Sequence, residues 1–172
     1  MLMTDDVRLP DPVAAARALP TGRLVIVRAR DASRRAALAA RMRAIAWAGG
    51  LILLIADDPA LARTIGANGL HLPEIRAAEA AHWRAKNRGW LITASAHSLS
   101  AVLRARHADA VLLSPVFATA SHKEARALSA VRARLIARSV ITPIFALGGV
   151  TAGNAALLSG FAGIAAIGAL SL

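Results

Sequence analysis

The residues able to do chemistry in this chain recur just after short apolar runs. Asp5 and Asp6 follow "MLMT", Arg28, Arg30 and Asp31 follow "RLVIV", and Asp57 and Asp58 come soon after "LILLI". Farther on, Glu74 and Arg76 follow "GLHL", and Ser95, His97 and Ser98 follow "WLITA". Thr119, Ser121, His122, Lys123 and Glu124 come after "AVLLS". Guanidinium and ammonium groups in such places suit a phosphorylated anion, hydroxyls can donate to its oxygens, and carboxylates can hold a divalent cation. A second kind of site needs no side chains. "PIFALGGVTAGNA" places Gly148 and Gly149 after an apolar run and Thr151 at the start of an expected helix. Bare amides and the positive end of a helix dipole favour a phosphate there. Gly168, near the end of the next run, would add further amides. The plainer reading of the same glycines is a tight turn.

These groups can act together only if the apolar runs bring them to one place. Eight runs, at residues 1–4, 23–27, 51–55, 69–72, 90–94, 110–114, 143–147 and 163–168, are nearly continuous in apolar residues. That is how strands buried on both faces read. Seven helix-like segments alternate with them, at 11–19, 32–48, 58–67, 74–86, 98–107, 126–139 and 152–160. Asp11 and Asp58, each before a proline, together with Ser98 and Thr151, are helix-start signals. The alternation predicts a parallel α/β protein, and eight strands suffice to close a single-domain (β/α)8 TIM barrel over residues 1–172. An open doubly wound sheet is the alternative. Barrels collect their reactive groups at the carboxyl ends of the strands, the face on which seven of the ten carboxylates fall. The chain is short against the usual length of about 250 residues. The barrel is therefore expected to be compact, with the last outer helix truncated or missing. An apolar flank beside the eighth strand would then suit a second copy, so a homodimer is expected.

Composition narrows the classes further. Hydrophobic residues make up 56% of the chain but aromatics only 3%, so the core must be built from Ala, Leu, Ile and Val. The absence of cysteine excludes disulfides, thiolate zinc sites and a cysteine nucleophile, and fits a reducing compartment. The first residues lack a signal-peptide pattern, so a cytoplasmic location is expected. The net charge of +11 comes almost wholly from arginine. Those arginines are scattered along helices rather than gathered with aromatics, which reads as solvated helix surface and not as a nucleic-acid interface. Residues 139–172 carry no charge, yet Pro143, Gly148, Gly149, Asn154 and Gly160 cut that stretch into pieces too short to cross a membrane.

The motifs together resemble the thiamine phosphate synthase family and its close relative, the thiazole tautomerase (TenI-like) family, nearly end to end. "ADAVLLSPVFATASHK" and "PIFALGGVTAGNA" carry the resemblance most specifically; "VIVRARD", "LLIADDPALA", "GANGLHLPE" and "TASAHSLSAV" extend it. For a synthase it implies coupling of an aminopyrimidine methyl pyrophosphate to a thiazole phosphate. The pyrimidine C–O bond breaks toward a carbocation, the thiazole nitrogen captures it, and pyrophosphate leaves, with Mg²⁺ as cofactor. Carried across, Arg28 and Arg30 grip the pyrophosphate, Arg30 standing where lysine is usual. Ser95 and Lys123 join them as catalytic residues, and Thr119, Ser121 and His122 bind ligand, His122 again where lysine is usual. Gly148, Gly149 and Gly168 match the thiazole phosphate site, and Asp57 a Mg²⁺ ligand.

The departures from the family pattern cluster around the metal. Ala56 stands where an asparagine is usual, Arg76 near the place of the second Mg²⁺ aspartate, Pro73 at a glycine and Ile26 at a glutamine. Losing a carboxylate and gaining a cation should weaken divalent-metal binding. In the tautomerases a histidine precedes "VF", where this chain has Pro115, with His97 or His122 as possible substitutes. His71 is expected to be a structural strand histidine, and His82 and His107 helix-surface residues. Three readings stay open: a diverged synthase, a TenI-like tautomerase acting on a thiazole phosphate, and a non-catalytic member that binds a phosphorylated ligand.

Overall fold

A computed structural model describes residues 1–118 and 127–167. Eight parallel strands run in sequence order through one sheet: β1 (Leu2–Met3), β2 (Leu24–Val27), β3 (Ile52–Ala56), β4 (Gly69–Leu72), β5 (Leu91–Ala96), β6 (Ala110–Leu113), β7 (Ile144–Ala146) and β8 (Gly163–Ile164). Just beyond β8 the sheet returns to its start. Leu2 and Ala166 form a parallel bridge, with Met3 N–H donating to Ala166 O at 2.9 Å and Ala166 N–H to Met1 O at 3.0 Å. The fold is thus a (β/α)8 TIM-barrel-like ring, and the open-sheet alternative falls away.

Why the runs are apolar throughout is visible in where alternate residues go. Leu24 and Ile26 of β2 point into the ring with Met3, Leu54, Leu112 and Ala165. Val25 and Val27 point outward and pack with Leu53, Ile55, Met42 and Ala46 beneath the helices. Both faces of a parallel strand must therefore be apolar. Complete burial of Ile26, Leu54 and Leu112 contributes about 1.5–3 kcal/mol each relative to exposure.

The helices that cover the ring are short. They are α1 (Pro12–Arg17), α2 (Ala32–Gly49), α3 (Pro59–Thr64), α4 (Ala80–Lys86), α5 (Leu99–Arg104) and α6 (Ala130–Arg138). Asp11 accepts from Val13 and Ala14 N–H, Asp58 from Leu61 N–H and Ser98 from Ala101 N–H, so three of the expected helix starts are real caps. The segment expected as one helix over 74–86 is instead a 3-10 turn, Glu74–Glu79, leading into α4. The helix expected over 152–160 is reduced to a single 3-10 turn, Ala155–Leu158. Among the described residues no helix is long and apolar enough to cross a membrane.

Candidate active site at the carboxyl ends of the strands

β5 runs two residues farther than its sequence suggests, which places Ser95 within the strand, in register with Leu112. His71 on β4 pairs in register with Thr93 on β5. Side chains two apart on a strand share a face, so His71, Thr93 and Ser95 all project into the ring. The imidazole bridges the two hydroxyls: Nδ1 lies 2.8 Å from Thr93 Oγ1 and Nε2 2.9 Å from Ser95 Oγ. Burial, helped by the nearby Arg28 charge, lowers the His71 pKa to about 4. A neutral imidazole has one N–H and one acceptor nitrogen, so one hydroxyl donates to the ring while the other accepts from it. The direction of the Ser95 hydroxyl is thereby coupled to that of Thr93. Sequence reasoning took His71 as structural and did not see this pairing. The strand alternation that sets Gly69 and His71 on one face, and Thr93 and Ser95 on the facing one, was the available signal.

Cations stand above this pair on the β1–β2 side. Thr4, wholly buried, clamps the end of β2: its hydroxyl donates to Arg28 O at 2.9 Å and accepts from Arg28 N–H at 2.8 Å. Arg28 Nη1 then reaches Asp5 Oδ2 at 2.8 Å, a carboxylate shared with Arg8 Nη2 at 2.7 Å. The Arg8 side chain, opposed by burial and aided by the N–H groups of Val7 and Arg8, holds the Asp5 carboxyl well below the usual carboxylate range. Asp5 thus draws Arg8 and Arg28 together beyond the ends of β1 and β2. Arg30 is exposed, and its N–H donates to Asp6 Oδ2 at 2.8 Å. No carboxylate lies within ion-pair distance of its guanidinium among the described residues.

On the β3–β4 side one cation stands between two carboxylates. Asp57 follows β3 in the left-handed region at φ 54°, a conformation aspartate tolerates better than most residues, with its N–H bonded to His71 O at 2.9 Å. Its Oδ1 takes Arg76 Nη1 at 2.5 Å. Arg76 also donates from Nε to Glu79 Oε1 at 2.9 Å and from Nη2 to Glu79 Oε2 at 2.8 Å, the paired geometry of a guanidinium on a carboxylate. Glu79 first, then Asp57, raises the Arg76 pKa; Arg76 first, then the Trp83 indole N–H, lowers that of Glu79 to about 2. Among the described residues no group of three His, Cys, Asp or Glu side chains is placed to hold a metal ion. The residues present do not fit the Mg²⁺ site that the motif implies, because a guanidinium fills the place beside Asp57.

Most of the other acidic groups on this face serve local structure. Asp31 caps α2, Asp58 caps α3 while pairing with Arg35 at 3.1 Å, and Glu74 takes His97 N–H and Arg104 Nη2, each at 2.9 Å. His97 is exposed beside Glu74 and away from the His71–Ser95 pair.

The far rim is backbone. Gly148 and Gly149 have φ of 91° and 66°, which side chains adopt only with strain. A Cβ on Gly149 would stand 2.5 Å from Ala118 O, so the turn is packed against the loop after β6. The expected helix N-terminus at Thr151 does not form. Asn154 Oδ1 accepts Thr151 N–H at 2.8 Å, and Asn154 Nδ2 donates to Gly149 O at 2.9 Å. With only one 3-10 turn behind it, this rim offers turn amides and no helix dipole. Both readings of the two glycines meet here: the tight turn is required, and the N–H groups of Gly148 and Gly149 bond no acceptor among the described residues. Thr119, Ser121, His122, Lys123 and Gly168 lie outside the described residues.

Residues 4–170 match the family described as thiamine monophosphate synthase. The chain belongs to that family. A putative thiamine-phosphate synthase 2 of Aquifex aeolicus is 34% identical over 133 residues, 75% of this chain and 71% of that protein. The thiamine-phosphate synthase of Bacillus velezensis is 35% identical over 80% of this chain and 63% of its own length. That of Methanoculleus marisnigri is 36% identical over 77% and 65% respectively, so the match spans somewhat less than two thirds of these two relatives. Among solved structures, a thiamine phosphate pyrophosphorylase from Pyrococcus furiosus superposes with a TM-score of 0.75 at 23% identity, over 96% of this chain and 84% of that one. An N-(5'-phosphoribosyl)anthranilate isomerase from Pyrococcus furiosus also superposes, at 0.67 and 13% identity, over 100% of this chain and 90% of that one. The ring is therefore shared with a protein named for a different activity. The named relatives support a role in thiamine biosynthesis and an enzyme of the transferase type.

Proposed function

We propose that the chain is a diverged thiamine phosphate synthase. It couples an aminopyrimidine methyl pyrophosphate to a thiazole phosphate, forming the C–N bond as the pyrimidine C–O bond breaks and its electron pair leaves with pyrophosphate. The observation that carries this reading is Arg28, held by Asp5 close enough to His71 to aid burial in lowering its pKa, together with Arg30, whose guanidinium has no ion-paired carboxylate among the described residues. A leaving group with several negative charges is stabilised by cations and hydroxyl donors fixed in advance. Arg28 and Arg30 are assigned to the pyrophosphate, Ser95 to an oxygen of the leaving group, and Gly148 and Gly149 to the thiazole phosphate. Thr119, Ser121, His122, Lys123 and Gly168 complete the two anion sites by their place in the motifs. Mg²⁺, the usual partner of this family's chemistry, has no fitting ligand set around Asp57 among the described residues.

A second reading is favoured by that same Asp57–Arg76 pair: a member that binds a phosphorylated thiazole without pyrophosphate chemistry, either as a TenI-like tautomerase or without turnover. Pro115 in place of the tautomerase histidine, and the His97 imidazole with Nδ1 3.6 Å from Glu74 Oε2, count against tautomerisation. The chain is also assigned to the cytoplasm, as one domain over residues 1–172, and to a homodimer. Exposed Val131 and Leu135 on α6, and exposed Leu157 on the 3-10 turn after β7, are apolar groups that support that contact.

The test is complementation of a strain lacking its own thiamine phosphate synthase, paired with calorimetry of each substrate. Growth without thiamine is expected. No growth, together with binding of the thiazole phosphate alone, overturns the synthase in favour of the second reading.

A further inference from the structure

Asp57 and Glu79 come from different segments, yet both close on one guanidinium. Arg76 spends three of its five N–H bonds on them: Nη1–H on Asp57, Nε–H and Nη2–H on Glu79. The trio sums to one negative charge, so it attracts no anion of its own. Its geometry does something narrower. It satisfies the carboxylate that would otherwise ask for a divalent cation, and it puts a fixed positive charge at the point a metal would need to enter. Two positive charges a few ångströms apart repel strongly where water is scarce. A hard divalent ion also requires several oxygen ligands, whereas the Asp57 Oδ1 and both Glu79 oxygens are already engaged. Arg28 and Arg30 stand beyond the neighbouring strand, β2, where Arg28 pairs with Asp5 and the Arg30 guanidinium has no ion-paired carboxylate among the described residues.

We infer that Arg76 is a built-in cation that closes the divalent-metal subsite, so that the mouth takes a pyrophosphate-class anion without a metal, through Arg28 and Arg30. The identity of the anion rests on the proposed function; the closure of the metal subsite does not. The division of labour is specific. Arg76 neutralises Asp57 and is a positioning residue, while Arg28 and Arg30 meet the anion.

Two arms test it separately. In the first, Mn²⁺ is titrated into the wild-type protein and followed by electron paramagnetic resonance, with no substrate present. No bound ion is expected at millimolar Mn²⁺, in the wild type or in Asp57→Asn. The Arg76→Asp variant, which sets a third carboxylate beside Asp57 and Glu79, is expected to gain one Mn²⁺ with a Kd on the order of 10⁻³ M or tighter, the range of weakly built oxygen sites. A wild-type Mn²⁺ site that Asp57→Asn abolishes overturns the inference, and this result needs no variant beyond one conservative change. In the second arm, inorganic pyrophosphate is titrated by calorimetry with EDTA present. Binding that is unchanged by adding Mg²⁺, and weakened about tenfold in Arg30→Ala, supports metal-free recognition. Binding that appears only with Mg²⁺ overturns it. If pyrophosphate fails to bind under either condition while the Mn²⁺ arm behaves as expected, the proposed function fails and the closed metal subsite stands.

Discussion

The two halves of the barrel mouth are built from different materials. From β1 to β5 the rim carries Asp5, Arg28, Asp57, Arg76, Glu79 and the His71–Ser95 pair, joined by ion pairs and hydrogen bonds of 2.5–2.9 Å. After β7 the rim has no ionisable group, since no charged residue follows Arg138, and it presents a glycine turn tied down by Asn154. Each material can receive a phosphate, by charge in one case and by amides in the other. They differ in how they can change. One substitution re-signs a side-chain site, as Arg76 has done beside Asp57. A backbone site keeps its chemistry whatever the neighbouring sequence, and is lost only when the turn itself is deformed.

The largest expected effect concerns the interior beneath the charged half. The folded His71 pKa of about 4 lies below the ordinary value of 6.5. Stability from keeping it neutral is therefore fully present above pH 6.5 and is lost as pH falls toward 4. The loss amounts to about 3 kcal/mol. Urea unfolding at pH 7 and pH 4.5 measures most of it, and His71→Gln should remove the dependence in that window. Equal stability of the wild type at both pH values would refute the buried neutral imidazole. Asp5 and Glu79, whose pKa values are lowered, contribute losses only at more acidic pH.

Next is the backbone half. Gly149→Ala puts a Cβ against Ala118 O at a left-handed φ, and should cost about 2 kcal/mol, lowering Tm by roughly 4–8 °C in a chain of this size. Gly89, where a Cβ would meet nothing within 4 Å, is the control, and its alanine variant should melt like the wild type. If the two alanine variants melt alike, the turn is not the constraint it is taken to be.

Arg30→Ala should weaken pyrophosphate binding about tenfold, an effect of ~1.4 kcal/mol that shrinks at high salt, with Tm unchanged. Unaltered affinity would remove Arg30 from the anion site. Smallest is Arg104→Ala. Its exposed pair with Glu74 at 2.9 Å should be worth less than about 1 kcal/mol and should leave ligand affinity untouched. A large loss of affinity there would extend the functional rim beyond the ring of strand ends.

What could be read from the chain followed the same division. The eight strands and the caps at Asp11, Asp58 and Ser98 were legible because burial on both faces and helix starts leave local marks. The segment after β7 misled. "TAGNAALLSG" has helix-like composition, but the Asn154 side chain bonds Gly149 O and Thr151 N–H, and only one 3-10 turn follows. Such competition between side chain and backbone leaves no periodic trace. Arg76 was recognisable as a departure from the metal pattern, whereas its second partner, Glu79, was overlooked, although a spacing of three residues sets the two side by side on the expected helix as well as on the 3-10 turn. The partnership of His71 with Ser95 needed the register of β4 on β5 and the two extra residues of β5.

The most direct measurement mixes the purified chain with aminopyrimidine methyl pyrophosphate and thiazole phosphate, with divalent ions chelated, and follows both products. Thiamine phosphate and pyrophosphate should appear in equal amounts. Absence of both products, with and without Mg²⁺, would contradict the assignment of this mouth to pyrophosphate displacement.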